Sequence, residues 1–260
     1  MTTDFGIEGS YVAAMKGIIL GRAPGAQIVD VTHRISPQNV LEGAFVLAEV
    51  VEAFPPGTVH LAVVDPGVGT DRKPIAVSID DQWFVLPDNG LISAVARGKT
   101  GSEIREISNP AILRSRVSNT FHGRDIFAPA AAHLLLGRDP AELGPTRSSF
   151  LIHEGFEATR GEDRLIGHVV FRDSFGNLIT NIPDSMLAGL PPENWLVEVA
   201  GVTIRGVSRT YGQNPPGTLV ALIGSGGWLE VAVVNGDAAR LLTVGPGAKV
   251  WARHVQDGNA

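Results

Sequence analysis

The chain has 260 residues, of which 44% are hydrophobic and 18% are charged, an ordinary composition for a globular protein. The net charge of −6 argues against a general nucleic-acid or anionic-membrane surface, and the lack of cysteine excludes disulfides and thiolate metal sites. No apolar run approaches the roughly 18 residues that span a bilayer, and the N-terminus lacks the basic and apolar regions of a secretion signal. We therefore expect a cytoplasmic protein with ample length for a real core.

Three segments of the first half have the apolar spacing of helices. Residues 10–24 place apolar side chains on one helical face and end at Pro24. Residues 39–54 form the strongest amphipathic pattern and end at a Pro-Pro-Gly turn. Residues 126–137 predict a third helix, with Pro129 near its start.

Strand-like segments lie between these helices. Residues 26–33 and 58–65 are short β-rich runs, and residues 73–87 predict a hairpin that turns at Asp80 and Asp81. Alternation of strands and helices on this scale favours a mostly parallel sheet covered on both faces. We therefore predict a three-layer α/β/α domain over residues 1–152.

The pattern changes after about residue 150. Residues 153–164 are polar and contain glycine, which is typical of a linker. Short β-rich segments separated by turns follow it, at 165–171, 177–182, 195–201, 218–224, 228–234 and 248–254. This spacing predicts a second, smaller domain over residues 165–260, an all-β barrel.

One predicted strand ends in a charged residue. The apolar run 61–64 stops at Asp65, and a glycine-containing loop then leads to Arg72. Ligands of open parallel sheets bind beyond the carboxyl ends of the strands, so this position suggests chemistry. The Asp-Pro-Gly sequence is also good turn chemistry by itself, and from this stretch alone a simple loop remains the competing interpretation.

Other interpretations of these residues stay open on local sequence alone. His122 could cap the helix that follows it. The stretch 67–72 lacks the third glycine of a dinucleotide-binding fingerprint, so it gives little support to nicotinamide binding. A metal-dependent hydrolase could use Asp65, His122 and His33, although the histidines lack the close spacing of the common zinc motifs.

Eight stretches of the chain occur in the order and with the residues typical of one enzyme family. Through them the chain resembles the S-adenosyl-L-methionine (SAM) hydroxide adenosyltransferases, which are related to fluorinating and chlorinating enzymes that use the same substrate. The stretches are TDFG (3–6), 11–19, 29–47, 63–77, PDNGLIS (87–93), TFHGRDIFAPAAAHL (120–134), DSFGNLITNI (173–182) and 224–239.

This resemblance implies a fold and an activity. It implies an N-terminal α/β domain and a C-terminal β-barrel, which agrees with the patterns above. The implied reaction is hydrolysis of SAM to adenosine and L-methionine, by attack of an activated water or hydroxide on the ribose C5′. No metal, other cofactor, nucleic acid or membrane is implied. The implied assembly is a homotrimer, with each active site between the N-terminal domain of one subunit and the C-terminal domain of a neighbour.

The resemblance also implies a catalytic trio, since Asp65, Arg72 and His122 match the residues of the family that activate water. We expect Asp65 to accept a hydrogen bond or a proton from the attacking water, and Arg72 to keep Asp65 ionised. His122 would hold and polarise the same water. The halogenating relatives lack this trio, and a carboxylate at this place would repel a halide. Halide incorporation is therefore not expected.

Five residues of the C-terminal half match substrate-binding positions of the family. The resemblance implies that Asp173 faces the ammonium of the methionine part and that Ser225 also holds this part. It implies that Phe175 forms an apolar wall and that Asn177 reads the adenine edge. Backbone groups at or near Val231 would also contact adenine.

Two residues of the N-terminal half complete the implied site. Asp4 matches the acid that accepts hydrogen bonds from both ribose hydroxyls, and Phe121 would pack near the substrate. A non-catalytic sensor of SAM or adenosine could keep such binding residues, but it need not keep the trio. The joint presence of Asp65, Arg72 and His122 therefore favours an enzyme.

Overall fold

The computed structural model describes residues 1–99 and 103–255. The chain divides into two compact units, Met1–His153 and Glu154–Ala260. Within the described residues, no helix is both long enough and apolar enough to cross a bilayer. Each unit contains hydrophobic core clusters of its own, as expected for units of this size.

The first unit contains a five-stranded sheet in the order β1-β2-β4-β3-β5. Strands β1, β2 and β4 are parallel to one another, whereas β3 runs antiparallel to both of its neighbours. The strands are β1 (Thr2–Thr3), β2 (Val59–Val63), β3 (Pro74–Ile79), β4 (Gln82–Pro87) and β5 (Glu103–Glu106).

Helices cover both faces of this sheet. Successive side chains of a strand point to opposite faces, and in β2 Leu61 packs in the core of α1 and α3, whereas Ala62 packs in the core of α2. The helices are α1 (Tyr11–Arg22), α2 (Val40–Val51) and α3 (Ala128–Leu135). The predicted three-layer α/β/α arrangement is therefore confirmed, as are the three predicted helices.

The predicted hairpin is also confirmed. Ile79 of β3 pairs with Gln82 of β4, which leaves Asp80 and Asp81 as a two-residue turn. Their φ angles are 50° and 60°, and positive values at both positions define the type I′ turn that matches the twist of paired strands.

The strand predicted over residues 26–33 is wrong. Only Thr32 forms a β-bridge, with Thr2, supported by backbone hydrogen bonds from Val31 to Met1 and from Thr3 to Thr32. The partner strand β1 has two residues, so it offers too few backbone groups for a longer ladder. A β-rich composition does not make a strand where the neighbour is this short.

The second unit contains a nine-stranded sheet with the order β10-β9-β14-β7-β8-β13-β12-β11, and β6 pairs with β7. The long strands are β7 (Leu165–Arg172), β8 (Leu178–Pro183), β9 (Trp195–Val199), β12 (Leu219–Ile223), β13 (Trp228–Val233) and β14 (Lys249–His254). The short elements are β6 (Thr159–Arg160), α4 (Asp184–Leu187), β10 (Val202–Arg205), β11 (Val207–Ser208) and α5 (Ala238–Leu242). All six predicted strands are present.

This sheet is nearly closed into a barrel, since β10 at one end of the strand order also contacts β12 near the other end. Its interior is filled by alternating apolar side chains such as Val169, Val197, Val231 and Val250, which have no exposed surface. Part of the segment predicted as a linker belongs to this unit, because β6 lies within it.

Candidate active site

The candidate site of the first unit lies at the carboxyl end of β2. The side chains of Asp65 and Arg72 are 5% and 9% exposed, and they form a two-pronged ion pair. Arg72 Nε donates to Asp65 Oδ1 over 2.8 Å, and Arg72 Nη2 donates to Asp65 Oδ2. Such a fork fixes the guanidinium and the carboxylate in one plane.

The loop between these two residues needs glycine at one point. Gly69 has a φ of +80°, and a Cβ added there would lie 2.4 Å from the backbone oxygen of Asn119. The backbone N–H of Thr70 closes the turn by donating to Gly67. The turn returns the chain so that Arg72 meets Asp65, and it packs against the segment that leads to His122.

His122 joins this pair through Arg72. Its Nδ1 lies 2.8 Å from Arg72 Nη2, and because a guanidinium only donates, Nδ1 must be the acceptor. Burial and the positive charge of Arg72 lower the pKa of His122, against the opposing charges of Asp65 and Asp125. The imidazole is therefore neutral near pH 7 and carries its proton on Nε2.

Arg72 also has a hydrogen-bond donor to spare. Its Nη1 is buried and has no partner among the described residues, and its guanidinium carbon lies 5.2 Å from the centre of the Phe127 ring. A buried N–H without a partner costs about 1–3 kcal/mol, so it is a natural contact for a bound polar molecule. The predicted trio of Asp65, Arg72 and His122 thus forms one connected cluster with a free donor.

The two other predicted residues of this unit, Asp4 and Phe121, have different environments. Asp4 follows β1, is partly exposed, and its Oδ2 accepts a 2.8 Å hydrogen bond from the backbone of Gln38. Phe121 packs edge-to-face against Phe5 and Tyr11, with ring centres 5.9 Å and 5.0 Å away. Phe121 directly precedes His122 in the chain, so this aromatic group borders the trio.

His33, the third residue of the metal alternative, lies against the first strand of the unit. It is buried, and its Nδ1 lies 2.9 Å from Thr3 Oγ1. Within residues 1–99 and 103–255, no group of three histidine, aspartate or glutamate side chains could hold a metal ion. Asp65, His122 and His33 are therefore not such a group.

In the second unit, the loop after β7 is built around one carboxylate. Asp173 Oδ1 accepts hydrogen bonds from the backbones of Phe175 and Asn177, and Asp173 Oδ2 accepts one from Asn177 Nδ2 at 2.9 Å. This arrangement is an Asx-type turn. The side chain of Asp173 therefore stabilises the conformation of this loop. Asn177 is buried, and its side-chain nitrogen donates to Asp173.

The remaining predicted residues of this unit differ widely in exposure. Phe175 is 77% exposed, which is unusual for a large apolar side chain, and Ser225 lies exposed on the turn between β12 and β13. Val231 has no exposed surface and pairs with Leu178 and Ala221 in the barrel. The contact of backbone groups at or near Val231 with adenine therefore stays a prediction.

The structure adds two residues that the sequence reading missed. Glu230 on β13 is 6% exposed, and Tyr211 Oη donates to its Oε1. A Cβ added at Gly224 would lie 2.4 Å from Glu230 Oε2, so this carboxylate lies under the turn that carries Ser225. Burial raises the pKa of Glu230, the hydrogen bond from Tyr211 opposes this increase, and the nearby charge of Asp173 adds to it.

Family models cover most of the chain. The model described as the SAM hydroxide adenosyltransferase N-terminal domain matches residues 1–144. The model described as the C-terminal domain of the same family matches residues 167–251. These two ranges fall within the two units of the structure.

Individual relatives agree with these matches. The chain is 40% identical over 250 residues to the (R)-S-adenosyl-L-methionine hydrolase of Salinispora arenicola, covering 95% of this chain and 94% of the relative. It is 29% identical over 208 residues to a fluorinase of Nocardia brasiliensis, covering 69% of each chain. A crystal structure described as an uncharacterized conserved protein from Thermotoga maritima has a TM-score of 0.88 and 38% identity, covering 97% of this chain and 98% of that one.

Proposed function

The chain belongs to the SAM hydroxide adenosyltransferase family, and we propose that it hydrolyses SAM to adenosine and L-methionine at the cluster of Asp65, Arg72 and His122. The observation that carries this proposal is the free donor of Arg72 beside a buried carboxylate and a neutral imidazole. Similarity over nearly the whole chain to a relative that bears this activity in its name supports it. The cytoplasmic location stays a prediction.

The reaction requires help for the nucleophile. The sulfonium of SAM is a good leaving group, because breaking the bond between C5′ and sulfur leaves a neutral thioether. Water is a weak nucleophile and must approach C5′ opposite the sulfur. As the new bond between oxygen and C5′ forms, the electron pair of the old bond passes to sulfur and one proton leaves the attacking water. The site must therefore orient one water molecule and accept this proton.

Each member of the trio supplies one part of this task. Each carboxylate oxygen of Asp65 has a second lone pair beyond the one that Arg72 uses, so Asp65 can accept a hydrogen bond and then the proton of the water. The free Nη1 of Arg72 and the Nε2–H of His122 can each donate to the water oxygen and to the hydroxide that develops from it. Fixed donors at a developing negative charge lower the barrier to reaction.

The binding residues would hold the two ends of the substrate. In the first unit, the partly exposed carboxylate of Asp4 is suited to the ribose hydroxyls, and Phe121 offers an apolar surface beside the trio. In the second unit, the exposed Phe175 and Ser225 are available to a ligand. Asp173 keeps one lone pair on Oδ2, and Oε2 of Glu230 accepts no hydrogen bond from the described residues, so both can face an ammonium.

The activity is tested by incubating the protein with SAM and separating the products by chromatography. We expect adenosine and methionine in equal amounts, without any added metal. Fluoride and chloride are added in parallel, because a halide-using enzyme would form a halogenated adenosine instead. The carboxylate of Asp65 disfavours a halide at the position of attack, so we expect adenosine in every case. SAM binding without products would favour the sensor.

We propose that the assembly is a homotrimer whose active sites combine the first unit of one copy with the second unit of another. The exposure of Phe175 supports this, since a ring 77% exposed in one copy suits a contact made in an assembly. The test mixes two inactive variants, Asp65→Asn in the first unit and Phe175→Glu in the second, by joint refolding. If sites are shared, about a quarter of them regain both intact halves in random trimers. No recovered activity, or a monomer in light scattering, would contradict the shared site.

The rate should depend on pH through His122. Its pKa lies below the usual value of about 6.5, so the neutral form persists into weak acid. Protonation would remove the acceptor that holds Arg72 Nη2 and place two cations side by side. We therefore expect a kcat that is constant near pH 7 and falls only below about pH 6.5. In a His122→Asn variant this particular acid step should vanish, as measured by kcat against pH. An unchanged acid limb in the variant would assign the step to another group.

A further inference from the structure

Asp125 stands out because it is a fully buried acid next to the trio. It lies in the π-helical turn Gly123–Phe127, which begins directly after His122. Its side chain has no exposed surface. Turns of this rare type occur mostly as single insertions in helices, frequently at functional sites. Asp125 takes no part in the proposed reaction, which uses Asp65, Arg72 and His122.

Four hydrogen bonds converge on this carboxylate. Oδ1 accepts from Arg114 Nη1 at 3.0 Å and from Arg124 Nε at 2.7 Å. Oδ2 accepts from Arg124 Nη2 at 2.9 Å and from the backbone of Ser118 at 2.9 Å. Burial alone would raise the pKa of Asp125, but the bonds from Arg124, Ser118 and Arg114 outweigh this and lower the pKa to about 2. Asp125 is therefore a permanent anion at neutral pH.

The anion connects two pieces of chain around the trio. Through Arg114 and Ser118 it holds the loop that precedes Phe121, and the backbone of Arg114 also donates to the Asp125 carbonyl. Through Arg124 it holds a guanidinium whose carbon lies 4.9 Å from the centre of the Phe121 ring. Both the approach to His122 and the turn after it are thus fixed to one carboxylate.

Asp125 also acts on His122 through its charge. The charged groups that influence this imidazole are Arg72, which lowers its pKa, and Asp65 and Asp125, which raise it. Removal of the Asp125 charge takes away one of the two raising effects. The pKa of His122 should then fall further, and this change can be measured without any substrate.

We propose that Asp125 is a positioning residue, which through Arg114, Arg124 and Ser118 holds Phe121 and His122 in register with Arg72. This inference rests on the proposed function for its kinetic part. It concerns alignment and not contact with the substrate. A misplacement of about 1 Å at a reacting group can cost 10²-fold in rate, so a holding residue can matter as much as a contacting one.

The test replaces Asp125 with Asn, which keeps the shape and removes the charge. We expect kcat to fall about 10²-fold with a smaller change in KM, since alignment of the water suffers more than binding. ¹⁵N NMR should show the imidazole of His122 titrating at a lower pH than in the wild type. Wild-type kcat, or an unchanged titration of His122, would overturn the proposal.

Two further variants separate positioning from simple destabilisation. Ile104→Ala opens a cavity under the edge strand β5, so it should lower the melting temperature while kcat and the His122 titration stay as in the wild type. If Asp125→Asn does not fold, Arg114→Met removes one holding bond from a side chain that is 40% exposed. It should lower kcat several-fold, and a wild-type rate would overturn the proposal. The NMR result stands whether or not the protein hydrolyses SAM, so failure of the proposed function and failure of this inference can be told apart.

Discussion

Replacing Asp65 with Asn is expected to lower kcat for SAM hydrolysis about 10³-fold, while adenosine still binds. The amide has nearly the same shape, but it cannot accept a proton. Its NH₂ group would also face the donors of Arg72, where the carboxylate now accepts two bonds. The rate should therefore suffer at the chemical step, whereas the ribose and adenine contacts remain. Single-turnover kinetics measure the first effect, and calorimetry with adenosine measures the second.

Asp71→Asn is the matched control for this variant. Asp71 lies in the same loop and is exposed, so the same chemical change there should leave kcat unchanged. Loss of one partner from a buried ion pair costs about 3 kcal/mol, and a thermal melt must show that the Asp65 variant is still folded. A folded Asp65→Asn variant with near-normal turnover would remove Asp65 from the mechanism.

The periodic parts of the fold could be predicted from the sequence. The helices α1 and α2 have apolar residues at helical spacing, α3 is apolar along nearly its whole length, and the turn at Asp80 and Asp81 has a length that admits few geometries. The strand prediction for residues 26–33 is wrong because strand formation depends on the partner strand as well as on composition. The β-bridge of this segment is with the two-residue strand β1, and nothing local to 26–33 reveals the length of that partner.

The candidate site could be predicted only in part. Asp65 and His122 are far apart in the sequence, and no periodicity brings them together, so the trio came from resemblance to a family. The structure supplies the reason for their proximity, because Gly69 lets the loop pack against Asn119 just before His122. It also supplies the tautomer of His122, which depends on the direction of a single hydrogen bond from Arg72.

Buried charges were the main features that sequence reading missed. Glu230 is a single charge within β13, all of whose residues are buried, and Tyr211 begins a short 3₁₀ turn that carries no local signal. Asp125 looks like a polar residue at the start of a helix. The environments of Glu230 and Asp125 are set by hydrogen-bond partners elsewhere in the same unit. Tyr211 is the partner of Glu230, and Arg114 and Ser118 are partners of Asp125. A charged residue inside an otherwise apolar run is the one signal that could have drawn attention to Glu230.

Arg72 connects every group of the trio, because the same guanidinium binds both oxygens of Asp65 and Nδ1 of His122 and still has Nη1 free. A positive charge between a base and an imidazole has two consequences. It holds the carboxylate through two hydrogen bonds, and it helps to keep the imidazole neutral so that its Nε2–H remains a donor. We expect the geometry of a planar fork to be needed as well as the charge, and the two requirements can be separated by mutation.

Replacing Arg72 with Lys is expected to lower kcat about 10²–10³-fold although the charge is kept. A lysine ammonium is a point donor and cannot bind both oxygens of Asp65, reach Nδ1 of His122 and still present a donor to the water. Arg147→Lys is the matched control, since Arg147 also pairs with two acids, Asp88 and Glu106, in the same unit, and its replacement should leave kcat unchanged.

Arg72→Ala completes this prediction because it leaves a gap between Asp65, His122 and the ring of Phe127. Methylguanidinium added to this variant can occupy the gap, and we expect it to restore part of the lost rate in a saturable way, whereas methylammonium should restore much less. Equal rescue by both cations would mean that only charge matters at this position. Full activity in Arg72→Lys would lead to the same conclusion, and the role assigned to the planar fork would then have to be given up.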